Sequence, residues 1–406
     1  MTNPANDVAV LIVGGGMAGS ACALHLEKLG ISSQVIDKAT FPREKVCGEG
    51  LLPEGVNSLK NLVGSDALQQ IQAQPFEGIH YRSGEREAIG SFKEGMGHGL
   101  RRHKIDHLLY EQTQKSPLIS RARAQIQKIE IEDDGVFLQS KTGETFTGKY
   151  LIAADGLNSP TRRILNLDAG LPRRKRYAIR RHYELNDSQM QPSHVEVSAC
   201  EGFESYVTPV GDNEMGVAFL IEERFLKEGP KKLEARWEAL CQKAHPYLAK
   251  RLAHAKPIGP AAACGPLQRN AKKVYAKQTL LIGDAAGFVD AITGEGMSLA
   301  LHTAELAAQA IHRTHVENWT FTKAAKAYAV ERQRHFRNYA ALTHGLLWLI
   351  KDKKRLERAL SQLDKKPQLF SELLELNQGR RSLFSWSSLR FAQLLMPTVN
   401  LQPKNI

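Results

Sequence analysis

The chain has 406 residues, 42% hydrophobic and 24% charged, which suits a water-exposed globular protein with material for two domains or one large interrupted one. It contains no apolar stretch of about 18 residues, so a membrane-spanning helix is excluded, and Met1–Asp7 is polar where a secretory signal would be basic and then apolar. The net charge of +12 is uneven: residues 301–406 hold 17 Lys/Arg against 8 Asp/Glu, a surplus that suits anionic lipid, nucleic acid, an acidic partner or simply a solvated helical face.

Val8–Val13 is six apolar residues in a row, the pattern of a strand buried on both faces. Gly14-Gly15-Gly16-Met17-Ala18-Gly19 follows. In that loop Gly14 permits a tight turn, Gly16 lets backbone N–H groups approach a pyrophosphate, and Gly19 lets the next helix pack against the strand. The helix Ser20–Leu29, stopped by Gly30, presents free N–H groups and a positive dipole end to a dianion. Ser33–Ile36 is the next apolar stretch and ends at Asp37, in register to accept hydrogen bonds from a ribose hydroxyl. This pattern leaves FAD, NAD and NADP open.

Lys38–Pro53 is too rich in Gly and Pro to be one regular element. It reads as a loop beside the dinucleotide, where Arg43 and Lys45 meet either phosphate and an anionic ring or surface carboxylates. Val56–Val63 and Ala67–Gln72 read as helices, Phe76–Gly97 as strands of a second sheet, and a helix opens near Leu100. Ile126–Ile131, Val136–Ser140 and Thr145–Thr147 form a meander, and Tyr150–Ala154 is a separate buried strand running into Asp155-Gly156-Leu157-Asn158-Ser159. Residues 177–222 are again β-rich, and Phe225–Arg251 reads as one helix. Thr279–Ile282 is a third buried strand, ending in Gly283-Asp284-Ala285-Ala286-Gly287. From Gly296 the chain is helical almost to its end, with breaks at Pro367 and Gly379. The five cysteines are odd in number and lack CxxC spacing, and no His/Cys/Asp/Glu cluster has ligand spacing, so neither a disulfide framework nor a metal is expected and the cytoplasm is the expected compartment.

Three motifs in this order, Gly14–Gly19, Asp155–Ser159 and Gly283–Gly287, resemble the GxGxxG, DGxxS and GDAAG signatures of the flavoprotein hydroxylase superfamily, which includes aromatic hydroxylases with the p-hydroxybenzoate-hydroxylase fold, geranylgeranyl reductases and flavin-dependent halogenases. The resemblance covers about three quarters of the chain and implies FAD as cofactor, with NAD(P)H as electron donor. It places Asp37 at the adenosine ribose and Asp284 at the ribityl or pyrophosphate region. Asp155 and Gly156 fall near the pyrophosphate, and Arg102 opens a helix lying against the flavin. Phe41–Glu49, which contains Arg43, Cys47 and Gly48, is similar to the PRxKxCGE signature of the geranylgeranyl-reductase branch, as is Thr293-Gly294-Glu295-Gly296-Met297. The halogenases' WxWxIP motif is absent, and Tyr206-Val207-Thr208-Pro209 stands where the reductases carry an aromatic-rich strand.

These readings predict an α/β fold: a Rossmann-type FAD-binding domain from residues 1–74, 98–172 and 258–320, an inserted β-sheet substrate domain from 75–97 and 173–257, and a helical C-terminal region, 321–406. The expected cofactor contacts are Gly14, Gly16, Met17, Ala18, Gly19, Asp37, Lys38, Arg43, Cys47, Gly48, Arg102, Asp155, Gly156, Gly283, Asp284, Gly294, Gly296 and Met297; no catalytic residue is named, because the cofactor performs the redox step. The expected function is hydroxylation of an apolar or phenolic small molecule, the alternatives being reduction of isoprenoid C=C bonds and a non-catalytic flavin redox sensor. At the C-terminus, Leu346, Leu347, Leu349 and Ile350 adjoin Lys351, Lys353, Lys354 and Arg355. Leu383-Phe384-Ser385-Trp386, Phe391, Leu394, Leu395 and Met396 follow Arg380-Arg381. Such helices either cap the FAD domain or touch an anionic membrane peripherally, and no nucleic-acid partner is expected.

Overall fold

The computed structural model describes residues 7–133, 135–172, 175–187 and 191–380. The strand Asp7–Val13 lies at the centre of an eight-stranded sheet. It pairs in parallel with Thr145–Ala153 on one side and with Ser33–Asp37 on the other, and the parallel core is completed by Thr279–Leu281 and Ile119–Arg123. Val10 and Ile12 pack on one face with the helices Met17–Lys28 and Gly296–His315, whereas Leu11 and Val13 pack on the other with the hairpin Ile126–Ile131/Val136–Ser140. Burial on both faces is what the unbroken apolar run reflects. The expected meander strand and the buried strand after it are one element, Thr145–Ala153. Gly148 makes that continuity fit, since a Cβ there would lie 2.9 Å from Leu11 Cγ.

The second sheet has seven strands in the order Ala255–Cys264, Arg176–Leu185, Glu214–Glu222, Phe203–Gly211, Val195–Cys200, Gly78–Ser83 and Arg86–Ser91. Because Ala255–Cys264 pairs along Arg176–Leu185, the expected boundary at 257/258 falls inside a strand and this sheet extends to Cys264. The expected helix Phe225–Arg251 is three helices, Glu223–Glu228, Leu233–Lys243 and Pro246–Leu252. Gly229-Pro230 and His245-Pro246 break it, because proline lacks an N–H and disfavours helical geometry in the residue before it. These helices cover one face of the sheet through the buried Trp237.

The C-terminal part forms the helices Gly296–His315, Phe321–Leu349, Lys353–Lys365 and Pro367–Asn377. The two breaks not foreseen, after His315 and Leu349, are restarted by side-chain caps: Thr320 accepts from the Lys323 N–H and Asp352 from the Arg355 N–H. The last two helices pack on the edge strand Arg86–Ser91 and its neighbour Gly78–Ser83, where Leu356, Leu360, Leu363 and Phe370 join Tyr81, Val195 and Val197 in one apolar cluster. These two helices thus close over the second sheet, whereas Ala324, Ala325 and Tyr328 of Phe321–Leu349 pack in the core of the parallel one, as the expected cap on the FAD domain would. The apolar cluster from Leu383 onward lies outside the described residues. Among the described residues no helix is long and apolar enough to cross a membrane.

Candidate active site

A single cavity of about 830 Å³ runs from the glycine loop, beneath the second sheet, to the C-terminal helices. Of the eighteen expected contacts, sixteen line it; Gly19 and Gly283 do not. Both of these act one layer back. A Cβ on Gly19 would lie 1.8 Å from the Gly14 carbonyl oxygen, and one on Gly283 3.0 Å from Ala18 Cβ.

At the polar end, Gly14 has φ +110° and abuts Ala154, and Gly16 caps the helix Met17–Lys28 with no side-chain hydrogen bond, so the first helical N–H groups face the cavity. Ser20 Oγ donates to the Gly15 carbonyl (2.9 Å) and holds the loop. Asp37 accepts from the Gly15 N–H (2.7 Å) through Oδ2 and from the Ala39 N–H (2.8 Å) through Oδ1, which fixes its carboxylate at the cavity wall beside Lys38.

Arg102 opens its helix as expected, but its guanidinium is committed to the fully buried Asp106, with both nitrogens Nε and Nη2 donating at 2.8–3.0 Å. Arg43 Nη2 stands 3.6 Å from the other side of Asp106 and would be 2.8 Å from a Cβ on Gly16, so it lies across the phosphate loop. Lys45 Nζ pairs with Asp284 Oδ2 at 3.0 Å. Cys47 is half-buried, and its Sγ accepts from the Glu49 N–H at 3.4 Å.

Asp155 and Gly156 line the cavity, yet both oxygens of Asp155 are taken within its own loop, by the Ser159 hydroxyl and by the Thr161 N–H (2.8 Å). Burial raises its pKa despite these bonds. The adjoining Arg162, fully buried, donates to the Leu157 carbonyl (2.9 Å) and the Ala285 carbonyl (2.9 Å), joining this loop to the one that carries Asp284. Gly294 adopts φ +74°, Gly296 starts a helix, and Met297 is buried against the glycine-loop helix. Between them Glu295 is buried and accepts from Asn377 Nδ2 at 3.1 Å; burial pushes its carboxyl up to about 8.

Several residues escaped sequence reasoning. Glu49 sits at φ +61° with only 1% of its surface exposed, accepting from the Arg102 N–H (2.9 Å) and from His182 Nε2 (2.5 Å). Arg180 Nη1 lies 2.5 Å from His182 Nδ1. A guanidinium only donates, so Nδ1 accepts and Nε2 carries the proton given to Glu49. Burial alone would raise Glu49, but the His182 hydrogen bond and the nearby charges hold it below the usual carboxylate range; burial pushes His182 down. Arg180 also donates to Glu44 Oε2 (2.7 Å), so the loop carrying Cys47 is bolted to the second sheet. Glu49 stands inside the Cys47-Gly48-Glu49 motif, which was its one visible signal; its partners Arg102 and His182 lie 53 and 133 residues away in the chain.

Beyond this polar end the lining changes to Tyr206 and Thr208 on one sheet face and to leucines of the C-terminal helices, among them Leu342, Leu346, Leu360 and Leu374. One end therefore suits a phosphate-bearing dinucleotide and the other a water-excluded apolar guest.

A family model described as FAD binding domain matches residues 7–341. The menaquinone reductase of Mycobacterium tuberculosis is 26% identical over 316 residues, 74% of this chain and 75% of that protein. The 3-demethoxyubiquinol 3-hydroxylase of Escherichia coli is 23% identical, covering 82% and 86%. Among solved structures, the flavin-dependent brominase Bmp2 superposes with a TM-score of 0.82 at 18% identity, over 95% of this chain and 97% of that one.

Proposed function

The chain belongs to the FAD binding domain family, and from that premise we propose that it is a NAD(P)H-dependent monooxygenase that hydroxylates an apolar small molecule. The family match and the enzymes it resembles make it an FAD-dependent oxidoreductase of the monooxygenase and halogenase superfamily. The observation that carries the finer reading is the two-ended cavity, polar at the glycine loop and apolar under the C-terminal helices.

The residues fit FAD. Gly14 makes the tight turn against Ala154, Gly16 leaves open beneath Arg43 the space a Cβ would fill, the N-terminus of Met17–Lys28 faces the pyrophosphate position, and Asp37 ends the second strand where a ribose is held. Lys45 and Asp284 flank the middle of the groove, and Cys47, Gly48 and Gly294–Met297 surround its inner end. When bound, FAD supplies the electron transfer and oxygen chemistry. The chain's own residues position and dry the reaction: Arg43 and Lys45 favour negative charge near the cofactor, while Leu360, Phe370 and their neighbours keep water from the substrate. No protein nucleophile is required.

The two relatives above, matched over about three quarters or more of each chain, are named for a quinone and a quinol, so a prenylated quinone or quinol is the first guest to assay. Under isotopically heavy O₂, hydroxylation places heavy oxygen in the product. A product formed equally well without air, and heavier than substrate by a pair of hydrogens, overturns this reading and supports the second one, reduction of an isoprenoid C=C bond. The menaquinone reductase match and the similarity of Phe41–Glu49 to the geranylgeranyl-reductase signature favour that alternative.

A further inference from the structure

The apolar end of the cavity reaches the surface along one stripe of the helix Phe321–Leu349. Ala341, Gly345 and Trp348, spaced four and three residues apart, both line the cavity and are exposed, Trp348 to 46%. Their neighbours Leu342, Leu346 and Leu349 continue the lining inward. Glycine is unfavourable inside a helix, and nothing lies within 4 Å of where a Cβ on Gly345 would be; no packing demand explains it, and its effect is to leave the mouth open. Arg355 stacks over the Trp348 ring at 3.7 Å and donates to its carbonyl at 2.7 Å, holding the indole at the rim.

The mouth opens in a basic field. The helix Lys353–Lys365 turns Leu356, Ala359, Leu360 and Leu363 to the cavity, while Lys351, Lys353, Lys354, Arg358, Lys365 and Lys366 are exposed. Residues 351–366 carry seven Lys/Arg against three Asp/Glu. We propose that this rim docks on an anionic bilayer and that the substrate passes from the lipid into the cavity along the helix face that carries Gly345 and Trp348. A bilayer answers all three features together: anionic headgroups for the lysines, an interfacial zone for an indole, and an apolar phase continuous with an apolar mouth. Leu346 and Leu349, two of the leucines expected to insert, are already cavity wall, so the contact is shallow and mainly electrostatic. The proposal rests on the reading that the substrate is apolar, but its test needs no turnover and can fail independently of that reading.

The experiment is co-sedimentation of the full chain with vesicles of phosphatidylcholine alone or mixed with phosphatidylglycerol, at low and high salt. Binding is expected only to the anionic vesicles and should fade with salt. Each charge removed should weaken partitioning about fivefold, so Lys351→Glu/Lys354→Glu/Arg358→Glu should abolish it. Brominated acyl chains should quench part of the tryptophan emission, and Trp348→Phe should remove that part while the salt-sensitive binding persists. Equal binding to neutral vesicles, no binding to anionic ones at low salt, or undiminished binding by the triple variant would overturn the proposal. So would nucleic-acid binding of similar strength lost in that same variant.

Discussion

Glu295 holds a proton that an ordinary glutamate would release. In the folded chain burial pushes its pKa up to about 8, whereas the unfolded chain releases the proton near 4.5. The folded state binds the extra proton between those values, so this group's contribution is fully present below about pH 4.5 and is lost as pH rises to about 8. Glu295→Gln keeps the oxygen that accepts from Asn377 and removes the titration. It should be more stable than the parent at pH 8, by an amount on the order of a few kcal/mol, with the two converging near pH 5; denaturant melts across that range check it, and parallel pH profiles would contradict it. Arg102→Ala makes the opposite kind of prediction. It strands Asp106, fully buried, and should cost about 3–5 kcal/mol, read by chemical denaturation; a loss below about 1 kcal/mol would show that the pair is worth no more than a surface one. Arg102 was legible as a site residue, but its partner four positions on was not, because a lone Asp on a helix reads as a surface residue until burial is known. Glu49 and His182 escaped for a related reason: their contact is tertiary, and neither position carries a local signal of the other.

At the scale of elements, the helix Lys353–Lys365 has one face in the cavity and the other in solvent. Leu360→Trp adds bulk to the apolar chamber far from the glycine loop. Flavin content should stay near that of the parent while substrate-stimulated NAD(P)H oxidation falls about tenfold or more, the equivalent of about 1.4 kcal/mol; unchanged oxidation would mean that the chamber does not hold the substrate. The strands with long apolar runs were legible, since burial on both faces leaves a plain imprint. The helix expected over 225–251 is interrupted at Pro230 and Pro246, and the strand Thr145–Ala153 reads as two because Gly148 resembles a turn until the neighbouring strand is seen to need its missing side chain.

At the scale of the molecule, the glycine loop, the Asp155 loop and the Asp284 turn leave the C-terminal ends of three neighbouring parallel strands, which is where open α/β sheets bind their ligands. Segments far apart in the chain meet there because the β-rich inserts are looped out into a second sheet that roofs the groove. The motifs announced that convergence. What they did not announce was the C-terminal helices closing the apolar end, since amphipathic helices carry no address for the surface they will cover.

Whether the glycine loop holds FAD is read from the flavin content of Gly16→Val. A Cβ at Gly14 or Gly19 would strike backbone at 2.4 or 1.8 Å and disturb the fold itself, whereas at Gly16 it meets side chains alone, the far end of Arg43 at 2.8 Å and Asp106 Oδ2 at 3.8 Å. The variant should therefore fold, with the parent's circular dichroism, and block the pyrophosphate. One FAD per chain is expected in the parent and almost none in Gly16→Val. A variant that purifies with full flavin occupancy would contradict that expectation.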